Sequence, residues 1–269
     1  MLHGFPGTGK GNIFKLNLYT SVVWLVMLTI ESRLVISVRL DVLTWGILYG
    51  LTQALFVYFK VKAMGTGPVS ITTLIGNSSL LISIGVSYIV WGESVTSWDL
   101  VGLLMLCTGI VLANYKKENE QYNPKWKFFV VGFFVFAAAV GLVFKAFGKT
   151  ACSEQTNSMM LVSSVVMIGF YLILSLRTGG IKPEITGVMR SKKFLLISGC
   201  AGVLSCLHNR LNIMLSSKID AIIFFPSFNG GVIILSSILS VLIYGEKLTR
   251  RQVVGICLGI AAVIVIGVL

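Results

Sequence analysis

Long apolar runs separated by short polar connections divide almost the whole chain. A helix crosses a bilayer with about 20 mostly apolar residues, because a rise of about 1.5 Å per residue then spans a hydrocarbon core of roughly 30 Å. The runs lack the alternation of a β-barrel, so they predict helices. The predicted spans are 13–30, 42–63, 68–91, 99–115, 126–147, 156–176, 193–215, 219–243 and 252–269.

Composition supports an all-α membrane protein, a polytopic bundle of nine transmembrane helices. Of the 269 residues, 55% are hydrophobic and only 12% are charged. In soluble domains, roughly a quarter of the residues are charged. No soluble catalytic domain fits in the chain, so we expect no enzyme activity and no cofactor. The five cysteines include no CxxC pair, which predicts neither a metal site nor a disulfide.

The net charge of +12 could suggest a nucleic-acid partner, but lysine and arginine lie in the connections rather than along one face. Alternate connections hold 16 of the 22 basic residues: Lys10, Lys15, Lys60, Lys62, Lys116, Lys117, Lys125, Lys127, Arg177, Lys182, Arg190, Lys192, Lys193, Lys247, Arg250 and Arg251. The positive-inside bias therefore places the N-terminus and the 114–127 connection in the cytoplasm. Nine spans then leave the C-terminus outside.

A short motif occurs twice, 153 positions apart. Residues 91–96 (WGESVT) recur as residues 244–249 (YGEKLT), and the same offset relates a glycine in each following helix. The repeat predicts two homologous halves, residues 1–117 and 118–269. Its positions are Gly92, Glu93 and Thr96, with Gly245, Glu246 and Thr249. Each carboxylate is interpreted as structural: it complements the positive end of the next helix, which the threonine caps.

The doubled Gly-Glu-x-x-Thr motif, followed by a glycine-bearing last helix, resembles the EamA-like branch of the drug/metabolite transporter superfamily. The resemblance implies ten helices in two inverted repeats of five. Here the first half supplies four spans and the second five, as if the first helix were missing through truncation or a late start codon. Relatives commonly have both termini inside, which the charge count contradicts.

The resemblance also implies a function and a location. It predicts a secondary transporter of a small metabolite (an amino acid, a nucleoside or nucleotide sugar, or a drug-like compound) that works by alternating access in the bacterial plasma (inner) membrane. Its partners would be bilayer lipid and a small-molecule substrate, with a homodimer left open. The alternatives are a non-transporting membrane partner subunit and a membrane-embedded lipid-modifying enzyme.

Polar residues at helical spacing are the candidate site. Ser205, Asn209, Asn212 and Ser216 share one face of the span 193–215. They predict either a substrate-facing wall or hydrogen bonds between packed helices. Arg210 must reach an interface or pair with a polar group, because a charge facing lipid is costly.

A second polar stripe contains Ser70, Thr73 and Asn77. Its counterpart in the second half is the helix-weakening cluster 226–231 (PSFNGG). Interruptions in both halves are a pointer to a transporter site, although ordinary kinks would look the same. Together with the resemblance, the two stripes predict these cavity residues: Gln53, Thr73, Asn77, His208, Asn209, Asn212 and Asn229.

Two further features are interpreted as unrelated to the site. Lys145 could be a charged cavity residue, but the interpretation preferred here is that it snorkels to the interface, because Lys149 follows one turn later. Residues 4–10 (GFPGTGK) match the core of a phosphate-binding loop, but glycine instead of serine or threonine follows the lysine, and only three residues precede the motif.

Overall fold

The computed structural model describes residues 10–32, 39–114, 123–177, 192–244 and 249–268. Over these ranges the chain forms α-helices and one 3₁₀ turn at Ser153–Gln155, with no strand. The helices are α1 (Lys10–Glu31), α2 (Leu40–Met64), α3 (Val69–Asn77), α4 (Leu80–Trp91), α5 (Ser97–Asn114), α6 (Trp126–Gly148), α7 (Thr156–Arg177), α8 (Lys192–Ser216), α9 (Ala221–Tyr244) and α10 (Arg250–Val268). The all-helical prediction is confirmed. Each predicted span coincides with one helix, except that 68–91 contains two.

Some sequence predictions fall outside the described residues. They concern Gly245 and Glu246 of the second motif copy, residues 4–9 of the loop-like motif, and the basic residues within 33–38, 115–122, 178–191 and 245–248. The inverted repeat and the division into four plus five helices also remain predictions.

Among the described residues, four segments are long and apolar enough to cross a membrane: Leu40–Met64, Ile71–Trp91, Trp126–Gly148 and Ser153–Arg177. Three shorter apolar helices cover Leu16–Glu31, Ser97–Leu112 and Ala221–Val232. Many large apolar side chains are exposed, such as Ile89 and Leu204. An apolar exterior of this kind suits helices that face lipid rather than water.

The chain divides into two compact units, each built from two separate stretches of sequence. Unit one contains Met1–Val61 and Val143–Ser217, and unit two contains Lys62–Leu142 and Lys218–Leu269. Helices α2 and α6 therefore contribute residues to both units. Each unit takes helices from both sequence halves, so the compact units are spatial groups and differ from the predicted repeats.

In unit two, α5 packs closely against α10 through small residues. A Cβ atom added to Gly109 would lie 2.8 Å from the carbonyl oxygen of Gly255 and 3.1 Å from the backbone nitrogen of Gly259. Small residues let helix backbones approach this closely in membranes. A second part of unit two is an apolar core formed by Leu80, Ile84, Leu106, Ile110, Ala221, Ile222, Phe224, Phe225 and Ala262.

In unit one, glycines also set the distance between helices. A Cβ atom on Gly50 of α2 would lie 2.8 Å from the carbonyl oxygen of Ser163 in α7. A Cβ atom on Gly202 of α8 would lie 2.7 Å from the Cβ of Val23 in α1. The two contacts bring together the helices that carry the polar residues of this unit.

Candidate functional site

The predicted span 68–91 is interrupted in unit two, where α3 ends at Asn77 and α4 begins at Leu80. The break at Ser78 and Ser79 lies close to the middle of the span from Val69 to Trp91. Both serines keep right-handed helical dihedral angles, with φ of −67° and −60°. The chain therefore tightens over one turn without reversing direction.

Some of the backbone hydrogen bonds at the break are of the 3₁₀ type, although the N–H of Ser78 keeps an α-helical bond to the carbonyl of Leu74 (3.0 Å). The N–H of Ser79 donates to the carbonyl of Gly76 (3.2 Å). The N–H of Leu81 donates to the carbonyl of Ser78 (3.1 Å). In both bonds the donor and the acceptor are three residues apart instead of four. The N–H of Leu81 therefore does not donate to the carbonyl of Asn77, which would be its acceptor in an α-helix. A 3₁₀ stretch within a helix often marks a functional hinge.

One face of the interrupted span is buried against α6 within unit two. The indole N–H of Trp126 donates to Thr72 Oγ1 (2.9 Å), and Ser83 Oγ donates to the carbonyl of Ala138 (3.4 Å). Ser79 and Ser87 are also buried. The sequence analysis missed this face, although steps of seven, four and four residues relate its hydroxyl groups along the helix.

The predicted residues Thr73 and Asn77 lie on α3 and are half-buried. Thr73 Oγ1 donates to the carbonyl of Val69 in its own helix (2.8 Å). Within the described part of the chain, the side-chain amide of Asn77 has no hydrogen-bond partner. Asn77 thus offers a donor and an acceptor at the point where the helix is interrupted. The side chain of Ser70 lies outside the described residues.

The counterpart cluster in the second half does not interrupt its helix, contrary to the prediction. Helix α9 continues from Ala221 to Tyr244 with Pro226 inside it. Pro226 lies in the second turn and cannot donate the usual hydrogen bond to the carbonyl of Ile222, yet the helix continues on both sides of it. The predicted residue Asn229 is half-buried, and its Nδ2 donates to the carbonyl of Phe225 (2.8 Å).

In unit one, the polar stripe of α8 makes hydrogen bonds to neighbouring helices. The hydroxyl of buried Tyr49 donates to Asn209 Oδ1 (3.1 Å), and Asn209 Nδ2 donates to the carbonyl of Ser205 (2.8 Å). The indole N–H of Trp24 donates to Ser205 Oγ (2.8 Å). Ser205 and Asn209 thus link α8 to α1 and α2, which is the helix-packing alternative for these two residues.

The other predicted residues of unit one differ in exposure. Asn212 is buried, and its Nδ2 donates to the carbonyl of His208 (2.9 Å). The His208 side chain is exposed. Gln53 is half-buried, and its buried Oε1 has no hydrogen-bond partner among the described residues. Unit one therefore contains Gln53, His208, Asn209 and Asn212, whereas unit two contains Thr73, Asn77 and Asn229.

Arg210 forms an ion pair with Glu31 of α1. The two side chains are 33% and 35% exposed. Of the two alternatives for this arginine, pairing is the one observed. The pair joins α8 to the end of α1 and neutralises a charge that would be costly next to lipid.

The structure contradicts the expectation that Lys145 snorkels, since its side chain is fully buried at 0% exposure. Phe147 and Cys152, on either side of the end of α6, are also buried. The end of α6 is thus covered by protein. Spacing to Lys149 could not reveal this, because the cover comes from residues distant in sequence.

Glu93 binds the start of a helix distant in sequence, whereas the sequence analysis assigned it to the helix that directly follows. Its Oε2 accepts the N–H of Ala221, the first residue of α9 (2.7 Å), and the side chain is only 9% exposed. Gly92 ends α4 in a left-handed conformation with φ of 63°, which glycine adopts without strain. The chain turns there, and the carboxylate complements the positive end of α9 instead.

The two motif threonines hold equivalent caps at the starts of α5 and α10. Thr96 Oγ1 accepts the N–H of Asp99 (3.2 Å), and Asp99 Oδ2 accepts the N–H of Thr96 (2.8 Å). Thr249 and Gln252 exchange the same two bonds, at 3.3 and 2.9 Å. Both pairs are capping boxes, which satisfy helix-start N–H groups.

Removing the Glu93 carboxylate should destabilise unit two. Glu93→Ala leaves the buried N–H of Ala221 without its acceptor, which costs about 2 kcal/mol and lowers the midpoint of thermal unfolding by roughly 6 °C. Glu93→Gln keeps an oxygen acceptor and should retain most of the stability. The midpoint of the detergent-solubilised protein measures both. Exposed Glu154 provides the matched control, and an equal loss in Glu154→Ala would contradict the capping role.

Comparisons with known proteins establish the fold and no more. The chain matches no family model and no curated protein. It is similar to a solved structure described only as a crystal structure of a protein, with a TM-score of 0.72 and 15% sequence identity. The similarity covers 97% of this chain and 89% of that one. The chain therefore has a helical fold that is already known from a solved structure.

Proposed function

We propose that the protein is a secondary transporter that carries a small metabolite across the bacterial plasma membrane by alternating access. The observation that supports this most is the break between α3 and α4 near the middle of a membrane-length span. Discontinuous helices form the substrate sites of many secondary transporters. The duplicated motif and the family that it resembles point to the same class.

The break is a suitable place for substrate contacts. Backbone that departs from the α-helix at membrane depth is tolerated where protein covers it or where it lines a water-filled cavity. Here one face of the span is covered by α6, while the half-buried Asn77 has an amide without a partner among the described residues. Asn77 can donate to and accept from a polar solute, and Thr73 lies one turn before it.

The substrate is proposed at the level of class: an amino acid, a nucleoside or nucleotide sugar, or a drug-like compound. The test uses purified protein in proteoliposomes that are loaded with a panel of amino acids, nucleosides, sugar phosphates and quaternary amines. We expect at least one radiolabelled solute to exchange faster than in protein-free liposomes. Exchange equal to the protein-free rate for every solute would contradict transport.

A further inference from the structure

We propose that one end of unit two is a docking surface for anionic phospholipids, formed by two exposed pairs of basic residues. The first pair is Lys125 and Lys127 at the start of α6, and the second is Arg250 and Arg251 at the start of α10. The group that they bind is the phosphate of a lipid headgroup. Such a contact with the surrounding bilayer does not depend on the proposed transport function.

Helix contacts place the starts of α3 and α6 at the same end of unit two. The indole N–H of Trp126 donates to Thr72 Oγ1 (2.9 Å), and Ser83 Oγ donates to the carbonyl of Ala138 (3.4 Å). Because residue numbers rise together along both contacts, α6 runs parallel to α3 and α4. The first basic pair therefore lies at the end of unit two where α3 begins.

Helix α10 begins at that same end. Helix α5 starts shortly after α4 ends at Trp91 and packs against α3, so it runs back along the interrupted span. A Cβ atom on Gly102 of α5 would lie closest to Ile266 of α10, and one on Gly109 would lie closest to Gly255. Helix α10 is thus antiparallel to α5 and begins where α5 ends, on the side where α3 and α6 begin.

Charge is divided between the two ends of unit two. Its described acidic residues are Glu93, Asp99 and Asp220. They lie at the end of α4 and at the starts of α5 and α9, which is the end opposite to the basic pairs. None of the four basic residues forms an ion pair with another described residue. Positive charge that the described residues leave uncompensated favours a negatively charged partner.

An exposed apolar stripe continues from each basic pair along the same helix. On α6 the stripe contains Phe128, Val131 and Val135. On α10 it contains Val253, Cys257, Ile260 and Ile264. Steps of three and four residues connect each pair to its stripe, so they share one face of the helix. Acyl chains cover such stripes in a bilayer, and basic side chains that lean towards the helix N-terminus then extend towards the headgroups.

The duplicated motif shows that a helix start in this protein does not need the arginine pair. Both copies of the motif end in a capping box that starts a helix. The next two residues are Ser97 and Trp98 at the start of α5, but Arg250 and Arg251 at the start of α10. The basic pair therefore belongs to one end of unit two and not to the motif.

The chemistry of this surface matches an anionic phospholipid better than another anion. Arginine offers a fork of N–H donors that fits phosphate oxygens, and lysine adds a compact charge. Basic residues near a membrane surface are attracted by anionic lipids. A nucleic acid or an acidic protein would match the charges alone, whereas a phospholipid also covers the apolar stripes with its acyl chains.

The test titrates the detergent-solubilised protein with dioctanoyl phosphatidylglycerol or dioctanoyl phosphatidylcholine and measures the midpoint of thermal unfolding. We expect the anionic lipid to raise the midpoint to a plateau, and the zwitterionic lipid to leave it unchanged at the same concentrations. Replacing all four basic residues with glutamine should raise the concentration for half of this shift at least tenfold, because each basic residue contributes a factor of about five. Each double variant should lose part of this affinity.

The matched control for the double variants is Lys149→Gln with Lys218→Gln. These changes remove two exposed lysines outside the basic pairs and should leave the titration unchanged. Equal shifts with both lipids, wild-type affinity in the fourfold variant, or an equal loss in the control would overturn the proposal. Inorganic phosphate should not shift the midpoint, and a shift as large as that of the anionic lipid would also overturn it.

A salt titration keeps the proposal testable if the fourfold variant does not fold. Adding about 0.5 M NaCl should weaken the effect of phosphatidylglycerol on the wild type, since the pairs are exposed and salt screens exposed charges. An effect that is independent of salt would contradict binding through these residues. Failure of every solute to exchange in proteoliposomes would reject transport but leave the lipid surface standing.

Discussion

Replacing Gly109 with leucine is expected to lower the free energy of unfolding by about 3 kcal/mol, because overpacking a tight contact costs this much. The obstacle is the backbone of α10: the new Cβ would lie 2.8 Å from the carbonyl oxygen of Gly255. A side chain could rotate away, but a helix backbone must move as a whole. The midpoint of thermal unfolding in detergent should fall by roughly 9 °C.

The matched control is Gly85→Leu in α4. Gly85 belongs to the same unit, and a Cβ atom there would meet no atom within 4 Å. This variant should unfold within about 0.5 kcal/mol of the wild type, as surface substitutions usually do. Equal midpoints for the Gly109 and Gly85 variants would show that α5 and α10 do not pack through this glycine.

Replacing Asn77 with leucine is expected to reduce solute exchange in proteoliposomes at least tenfold. The substitution keeps a side chain of similar size but removes both hydrogen-bonding groups from the interrupted turn. A substrate that uses one of these groups loses about 1.4 kcal/mol or more of binding free energy, which corresponds to a factor of ten. Asn77→Gln, which keeps the amide, should retain more exchange than Asn77→Leu.

The control for this prediction is Thr108→Leu in α5. Thr108 is exposed and donates only to the carbonyl of Leu104 in its own helix (2.8 Å). It should fold and exchange solute as the wild type does. Wild-type exchange in Asn77→Leu, or an equal loss of exchange in Asn77→Leu and Thr108→Leu, would contradict substrate binding at the break between α3 and α4.

The positions of the helices could be predicted from sequence because bilayer thickness fixes the length of an apolar run. The threonine of each motif copy also marks a helix start, since the capping box involves residues only three positions apart. The break in the span 68–91 was harder to locate. Pro226 is the stronger helix breaker by propensity, yet α9 continues through it, while the span with Ser78 and Ser79 is interrupted.

Contacts between distant residues account for what the sequence did not reveal. Glu93 binds the N–H of Ala221, 128 positions away, so its acceptor role depends on how helices pack and not on the next helix. The burial of Lys145 depends on packing in the same way. The polar residues of α8 do share one face of the helix, as the sequence predicted. The hydrogen bonds from Tyr49 and Trp24, which the sequence could not reveal, show that this face contacts other helices at Asn209 and Ser205.

Access to residue 77 from the two sides of the membrane tests the central claim most directly. The five native cysteines (Cys107, Cys152, Cys200, Cys206 and Cys257) are replaced by serine, and Asn77→Cys is then introduced. Right-side-out and inside-out vesicles are treated with a membrane-impermeant maleimide. A carrier that opens the helix break alternately to each side predicts labelling of the introduced thiol in both preparations. Labelling in neither preparation, or in only one, would contradict it.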